Sequence, residues 1–190
     1  MKRTAAPSNE GAISRVIAAM DIGTNSIRLV VSRVEPDHEL TVLTQQREMV
    51  RLGENEFETR RLSPAAIERG VLVCSRFADV ARGFGAREIS AFATSAVREA
   101  QNQDEFIERA RRDAGLDVRV ISGPEEARLI YMGVVSGASL KEQRALFIDI
   151  GGGSTELVVG DSEKYDALDS LKLGAIRISN NWFLRRAICS

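Results

Sequence analysis

Two acidic, glycine-rich turns carry the residue types that phosphate chemistry uses. The first reads Asp21-Ile22-Gly23-Thr24-Asn25-Ser26. The second reads Asp149-Ile150-Gly151-Gly152-Gly153-Ser154-Thr155-Glu156. Glycine lets a backbone approach an anion closely and adopt positive φ. Successive N–H groups in such a turn form a concave anion nest, which neighbouring Thr and Ser hydroxyls extend. An Asp at the end of the preceding strand offers an oxygen ligand for Mg²⁺, which bridges to phosphate oxygens. One Asp-x-Gly-x-x-Ser string is weak evidence by itself. Two copies in the same apolar–turn–apolar setting suggest related half-domains facing each other across a cleft. The same residues also fit two unrelated hairpins whose Asp side chains cap turns.

The elements around these turns must hold them in place. Val16–Met20, Ser26–Glu35 and Leu40–Arg51 read as three antiparallel strands joined by short turns. Ser63 and Pro64 open a helix whose apolar residues Ile67, Val71, Cys74, Phe77, Ala78 and Ala81 share one face. Glu88–Ala93 reads as a buried strand and Thr94–Glu99 as a short helical turn. Asn102–Ala114 reads as a second amphipathic helix and Leu116–Ile121 as another strand. Strands alternating with helices continue the sheet in parallel fashion. Pro124, Glu125 and Glu126 suit the first turn of a further helix, running to about Val135. Strands at Arg144–Ile150, Leu157–Val159 and Leu168–Leu173 then repeat the three-strand opening, with a helical start at Ile178–Ile188. The predicted domains are a first unit at 15–122 and the N-terminal part of a second at 123–190. By internal analogy, roughly 100 residues of the second unit are expected to be missing.

Bulk properties narrow the function classes. The 190 residues are 44% hydrophobic, enough for a packed core. With 26 Lys and Arg against 27 Asp and Glu, the chain has no global drive toward nucleic acid or membrane. No apolar run approaches the length of a membrane span. Residues 1–14 read as a disordered leader without the apolar core of a secretory signal. Cys74 and Cys189 lack a metal-like spacing, and a reduced cytoplasmic setting is expected, with Cys74 in the core. His38, the single histidine, sits beside Pro36 and Asp37 and reads as a solvated loop residue.

Four ordered segments carry a resemblance. They are Asp21–Ser26, Ala93–Ala100 (ATSAVREA), Ile121–Ile130 (ISGPEEARLI) and Asp149–Glu156. From about Val16 to Arg177 the chain resembles the exopolyphosphatase / guanosine pentaphosphate phosphohydrolase family. The resemblance implies a ribonuclease-H-like α/β fold, shared with actin, sugar kinases and heat-shock chaperone ATPases. The implied activity is Mg²⁺-dependent release of terminal phosphate from polyphosphate or guanosine pentaphosphate. A homodimer is implied for the full-length family, with no nucleic acid and no membrane partner.

The resemblance also implies residue roles. Glu126 becomes the base that takes a proton from the attacking water, although its residue type and position equally suit a first-turn helix acid. Arg98 becomes the cation that neutralises phosphate charge, its bland alternative being a solvated residue paired with Glu99 or Asp104. Asp149, Glu156 and Asp21 are expected at the metal. Gly23, Thr24, Asn25, Ser26, Gly151, Gly152, Gly153, Ser154 and Thr155 are expected around phosphate oxygens. Arg51 is a weaker candidate. Two other classes stay open: a kinase-like or actin-like ATP-binding relative, and a non-catalytic polyphosphate or nucleotide binder.

Overall fold

The computed structural model describes residues 14–54, 56–138, 140 and 143–180. The expected leader falls almost wholly outside the described residues, as do Cys189 and the helix predicted beyond residue 180.

Three antiparallel strands open the chain: β1 (Arg15–Ile22), β2 (Ser26–Val34) and β3 (Leu40–Met49). A short helix α1 (Glu56–Thr59) follows, which the sequence reading did not anticipate. Then come α2 (Pro64–Gly83), β4 (Glu88–Ala93), α3 (Ser95–Glu99), α4 (Gln103–Ala114) and β5 (Val118–Val120). The sheet order is β3-β2-β1-β4-β5. β4 and β5 join in parallel, whereas the first three strands are antiparallel. This is the ribonuclease-H-like α/β arrangement.

Local chemistry explains the helix ends. The Ser63 hydroxyl accepts the Ala66 N–H at 3.2 Å, and Pro64 occupies the first turn of α2. Gly115 ends α4 at φ +63°, a left-handed conformation that glycine adopts without a Cβ clash. The strands then bury one face against the helices. Met20, Ile22, Ile27 and Leu29 meet Ile67, Cys74 and Phe77 of α2 and Phe106 of α4 in one continuous core. Burial of such side chains stabilises by about 1.5–3 kcal/mol each, as an upper estimate.

The second unit is smaller. α5 (Gly123–Gly137) packs on a meander of β6 (Ala145–Ile150), β7 (Thr155–Gly160) and β8 (Tyr165–Leu171). Its buried core is Ala127, Tyr131 and Val158. Phe147 and Tyr165 meet the Tyr131 ring edge-on at 5.4 and 5.6 Å. The last strand lies three residues earlier at its start than the apolar pattern predicts. Its pairing with β7 begins at Tyr165, although Asp166 and Asp169 disguise it as a loop. Residues 175–180 begin a further helix.

Candidate active site

The two hairpins face one another across a cleft of about 240 Å³. Each hairpin places its Asp near the end of its first strand and its glycines in the turn. Gly23 N–H donates to the Ser26 carbonyl at 3.1 Å, and Gly151 N–H donates to the Ser154 carbonyl at 2.9 Å. The two turns thus share one closure. Asp21, Gly23, Thr24, Asn25 and Ser26 line the cleft from the first unit. Asp149, Gly151, Gly152, Gly153, Ser154 and Glu156 line it from the second, and Glu126 closes it from the first turn of α5.

Two predicted residues fall elsewhere. The Thr155 hydroxyl donates to the Leu173 carbonyl, and Thr155 does not line the cleft. Arg98 does not line it either. Its guanidinium donates to the Ile121 carbonyl and to Glu126 Oε2, both at 2.9 Å, and it faces a neighbouring pocket. Its partner is therefore Glu126, not Glu99 or Asp104. Arg51 sits at φ +51° beside a second pocket that also contacts Thr24 and Asn25.

The glycines of the second turn serve a packing need. A Cβ on Gly153 would fall 2.8 Å from both Phe57 Cζ and Thr24 Oγ1. A Cβ on Gly152 would fall 3.0 Å from Thr24 Cβ. The second turn is thereby seated against the first, and a side chain at Gly153 would push the units apart.

Acidic groups crowd the cleft. Burial pushes the Glu126 carboxyl up to about 7 despite its Arg98 hydrogen bond, and the Glu156 and Asp21 charges add to the rise. Asp21 is also raised, mainly by loss of water around its carboxyl. Arg28 opposes that rise and Asp149 reinforces it. Glu156 is buried and accepts the Ser170 hydroxyl at 2.8 Å. Among the described residues, no three His, Cys, Asp or Glu side chains converge closely enough to hold a metal unaided.

Sequence reasoning missed four participants. Arg28 and Arg47 line the cleft from β2 and β3, and Ser95 lines it from α3. Arg177 locks the units together. Its guanidinium donates to the Gly153 carbonyl at 2.7 Å and to Glu99 at 2.6 Å, and lies 4.0 Å over the Phe57 ring. One signal for Arg28 was present: it stands seven positions after Asp21, as Glu156 does after Asp149.

A family model described as Ppx/GppA phosphatase family matches residues 30–190. A provisionally named exopolyphosphatase of Haemophilus influenzae is 34% identical over 177 residues, covering 93% of this chain and 54% of its own. Among solved structures, an exopolyphosphatase from Cytophaga hutchinsonii superposes with TM-score 0.86 at 27% identity, covering 88% of this chain and 54% of that one. A Ppx/GppA family protein of Aquifex aeolicus gives TM-score 0.75 at 33% identity, covering 90% of this chain and 55% of that one. The chain spans about half the length of each of these relatives.

Proposed function

This chain belongs to the Ppx/GppA phosphatase family, and on that premise we propose that its cleft hydrolyses the terminal phosphoanhydride bond of inorganic polyphosphate or guanosine pentaphosphate. The observation that carries the reading is Glu126. It stands at the junction of both glycine turns, held by Arg98 at 2.9 Å, with its carboxyl pushed up to about 7. A carboxylate tuned near neutral pH is a competent general base.

In the reaction, a water oxygen bonds to the terminal phosphorus as the bridging P–O bond breaks. The bridging electron pair leaves with the shortened chain, and Glu126 takes the water proton. Arg98 acts through Glu126, fixing the carboxylate while leaving one oxygen free for water. Phosphoryl transfer rests mostly on positioning and charge stabilisation. The two turns supply that, with Thr24, Ser26 and Ser154 at the cleft wall.

The donor set suits Mg²⁺, which is usually bound through one or two carboxylates, with water and substrate phosphates completing its shell. Asp149, Glu156 and Asp21 would hold it partly through intervening waters, since the three do not converge on one point unaided. When bound, it would neutralise charge on the phosphate oxygens. The coupling of Asp21 to Asp149 across the cleft supports this reading.

The test is phosphate release from polyphosphate, guanosine pentaphosphate and ATP in the presence of Mg²⁺. Glu126→Gln is expected to cut release by roughly 10²–10⁴-fold while polyphosphate binding persists. Turnover surviving in Glu126→Gln removes the assigned base. Release from ATP alone favours the kinase-like relative, and binding without any turnover favours a non-catalytic binder.

A further inference from the structure

The segment Thr94-Ser95-Ala96-Val97-Arg98-Glu99 divides into an anchor and two arms. Ser95, Ala96 and Val97 of α3 are buried in the first unit, the latter two in its apolar core. The Thr94 N–H donates to the Ile22 carbonyl at 3.2 Å, which ties the helix to the end of β1 beside the first glycine turn. Arg98 and Glu99 follow at the helix end, about 100° apart around its axis, so they reach in different directions. Both reach the second unit. Arg98 donates to Glu126 Oε2 at 2.9 Å. Glu99 accepts Arg177 at 2.6 Å through Oε1 and Lys172 at 3.1 Å through Oε2.

The Glu99–Arg177 pair is not a surface ion pair, since the two side chains are 19 and 15% exposed. Burial would raise the Glu99 carboxyl, yet hydrogen bonds from Arg177 and Lys172 hold it below its ordinary value, so it stays ionised. The Arg177 Nε donates to the Gly153 carbonyl, and its guanidinium lies over the Phe57 ring. The N–H groups of Ala175, Ile176 and Arg177 donate to the Gly151 and Gly152 carbonyls at 2.9 to 3.1 Å. The carbonyls of all three glycines are therefore held by residues 175–177, and Glu99 holds that segment to the first unit. Lys172 differs: its side chain is 74% exposed, and among the described residues it makes no bond to the glycine turn.

Resting on the function proposed above, we propose that Glu99 is a positioning residue, which acts through Arg177 to fix the second glycine turn at a set distance from Glu126. The adjacent Arg98 holds the Glu126 carboxylate, so one short helix places both the base and the second turn. Their separation then follows from two neighbouring side chains on a buried anchor rather than from the three-residue core of the second unit. A misplacement of about 1 Å at a reacting centre can cost about a hundredfold in rate. Cutting the link lowers turnover more than binding, because the first glycine turn keeps its place on the larger sheet.

Two measurements on the 190-residue chain test this. The first is amide hydrogen exchange without substrate, read at Ala175, Ile176 and Arg177. Glu99→Gln is expected to speed exchange there about tenfold. Lys172→Gln, which removes only an exposed pair, should change it by less than about threefold. The second is steady-state phosphate release from polyphosphate with Mg²⁺. Glu99→Gln should lower kcat by roughly 10–100-fold and move KM by less than about threefold. Glu99→Gln combined with Arg177→Gln should lose no more than Arg177→Gln alone, because both cut one link. Thermal unfolding checks that each variant is folded, and Arg177→Gln reads the link from the other side if Glu99→Gln is not. Unchanged exchange and kcat in a folded Glu99→Gln chain overturn the proposal. A risen KM with kcat intact also overturns it, as does a double variant whose loss is the product of the two singles. A wild-type chain without turnover overturns the proposed function, and the exchange measurement then decides by itself whether Glu99 seats the turn.

Discussion

The two hairpins are one design with two outcomes. On the cleft face, the first carries Asp21, Arg28 and Arg47 in a row, and the second carries Asp149, Glu156 and Ser170 at the matching positions. On the opposite face, Ala18, Met20 and Ile22 of β1 are 4, 1 and 0% exposed, while Leu146, Ile148 and Ile150 of β6 are 58, 56 and 70% exposed. The backbone repeats and the side chains diverge. The first hairpin is covered by helices and offers cations to the cleft. Among the described residues, the second leaves its apolar face uncovered and offers carboxylates. One half sets two cations beside its cleft carboxylate, and the other presents two carboxylates and a hydroxyl.

The largest expected effect separates the two cores. Phe77 is 2% exposed in the continuous core of the first unit, and Phe77→Ala should cost about 3–5 kcal/mol. Phe147 is only partly buried, against a three-residue core. Phe147→Ala should cost about 1–2 kcal/mol, mostly through its lost edge contact with Tyr131. Thermal unfolding measures both, and hydrogen exchange should show the second loss confined to β6–β8. Equal costs spread over the whole chain would show that the halves unfold as one body.

Next in size is the asymmetry of the acids. Asp149→Asn should lower Mg²⁺-dependent turnover by about a hundredfold, whereas Asp21→Asn should cost about tenfold, because Arg28 already offsets part of the Asp21 charge. Phosphate release across a Mg²⁺ titration checks this. An equal loss at both positions would mean that the cation bridges the halves symmetrically.

Much of this division was legible in the sequence, and the reasons are local. Paired glycine turns, each with an Asp before it, specify two hairpins through tight closure, Gly23 and Gly151 each donating to the carbonyl three residues on, although none of the turn glycines adopts a positive φ. Ser63-Pro64 and Pro124-Glu125-Glu126 mark helix starts by local chemistry alone, and the structure adds Ser122 as the cap of the second. What escaped depends on pairing across distance. Arg28 and Arg47 are opposed only through the β2–β3 register, which a bulge at Val31/Ser32 shifts by one residue. Arg98 was expected on the phosphates, yet the fold turns it onto Glu126, 28 residues away. In sequence the glycine triplet suggests room for an anion, whereas in the fold Gly153 also makes room for Thr24 and Phe57. Glu56 is buried with Oε2 unpaired, on a four-residue helix too short to carry a period.

A smaller effect is the pH dependence, which takes opposite signs for activity and stability. As the proposed base, Glu126 has to be unprotonated to accept a proton, so turnover should rise with pH and level off above about 7, falling tenfold per pH unit below that. Stability should move the other way. Burial holds both Glu126 and Glu56 at about 7 in the folded chain, above their ordinary 4.5. The folded state then binds more protons than the unfolded state between those values. The stabilising contribution is complete below pH 4.5 and is lost as pH rises through about 7. Paired kinetic and denaturation profiles read both signs, and a Glu126→Gln chain should lose its share of the stability slope.

The smallest effect on stability is expected where the second hairpin is bare. Leu146, Ile148 and Ile150 alternate along β6, and β6 is the edge of its sheet among the described residues. An apolar row on an unpaired strand edge is a template for association with another chain. At the matching positions of β1, the same face is buried and β4 pairs with the edge. Ile148→Thr keeps a β-branched side chain that suits a strand and removes apolar surface already in water. It should change the melting free energy by less than about 0.5 kcal/mol. Self-association, read by sedimentation at rising concentration, should fall clearly. Ala18→Thr at the matching first-unit row should destabilise by about 1–3 kcal/mol, because it adds bulk and a hydroxyl to a packed core. If Ile148→Thr instead melts the chain as Ala18→Thr does, the β6 face is covered in solution, and the contrast between the two hairpins lies only in their cleft-facing charges.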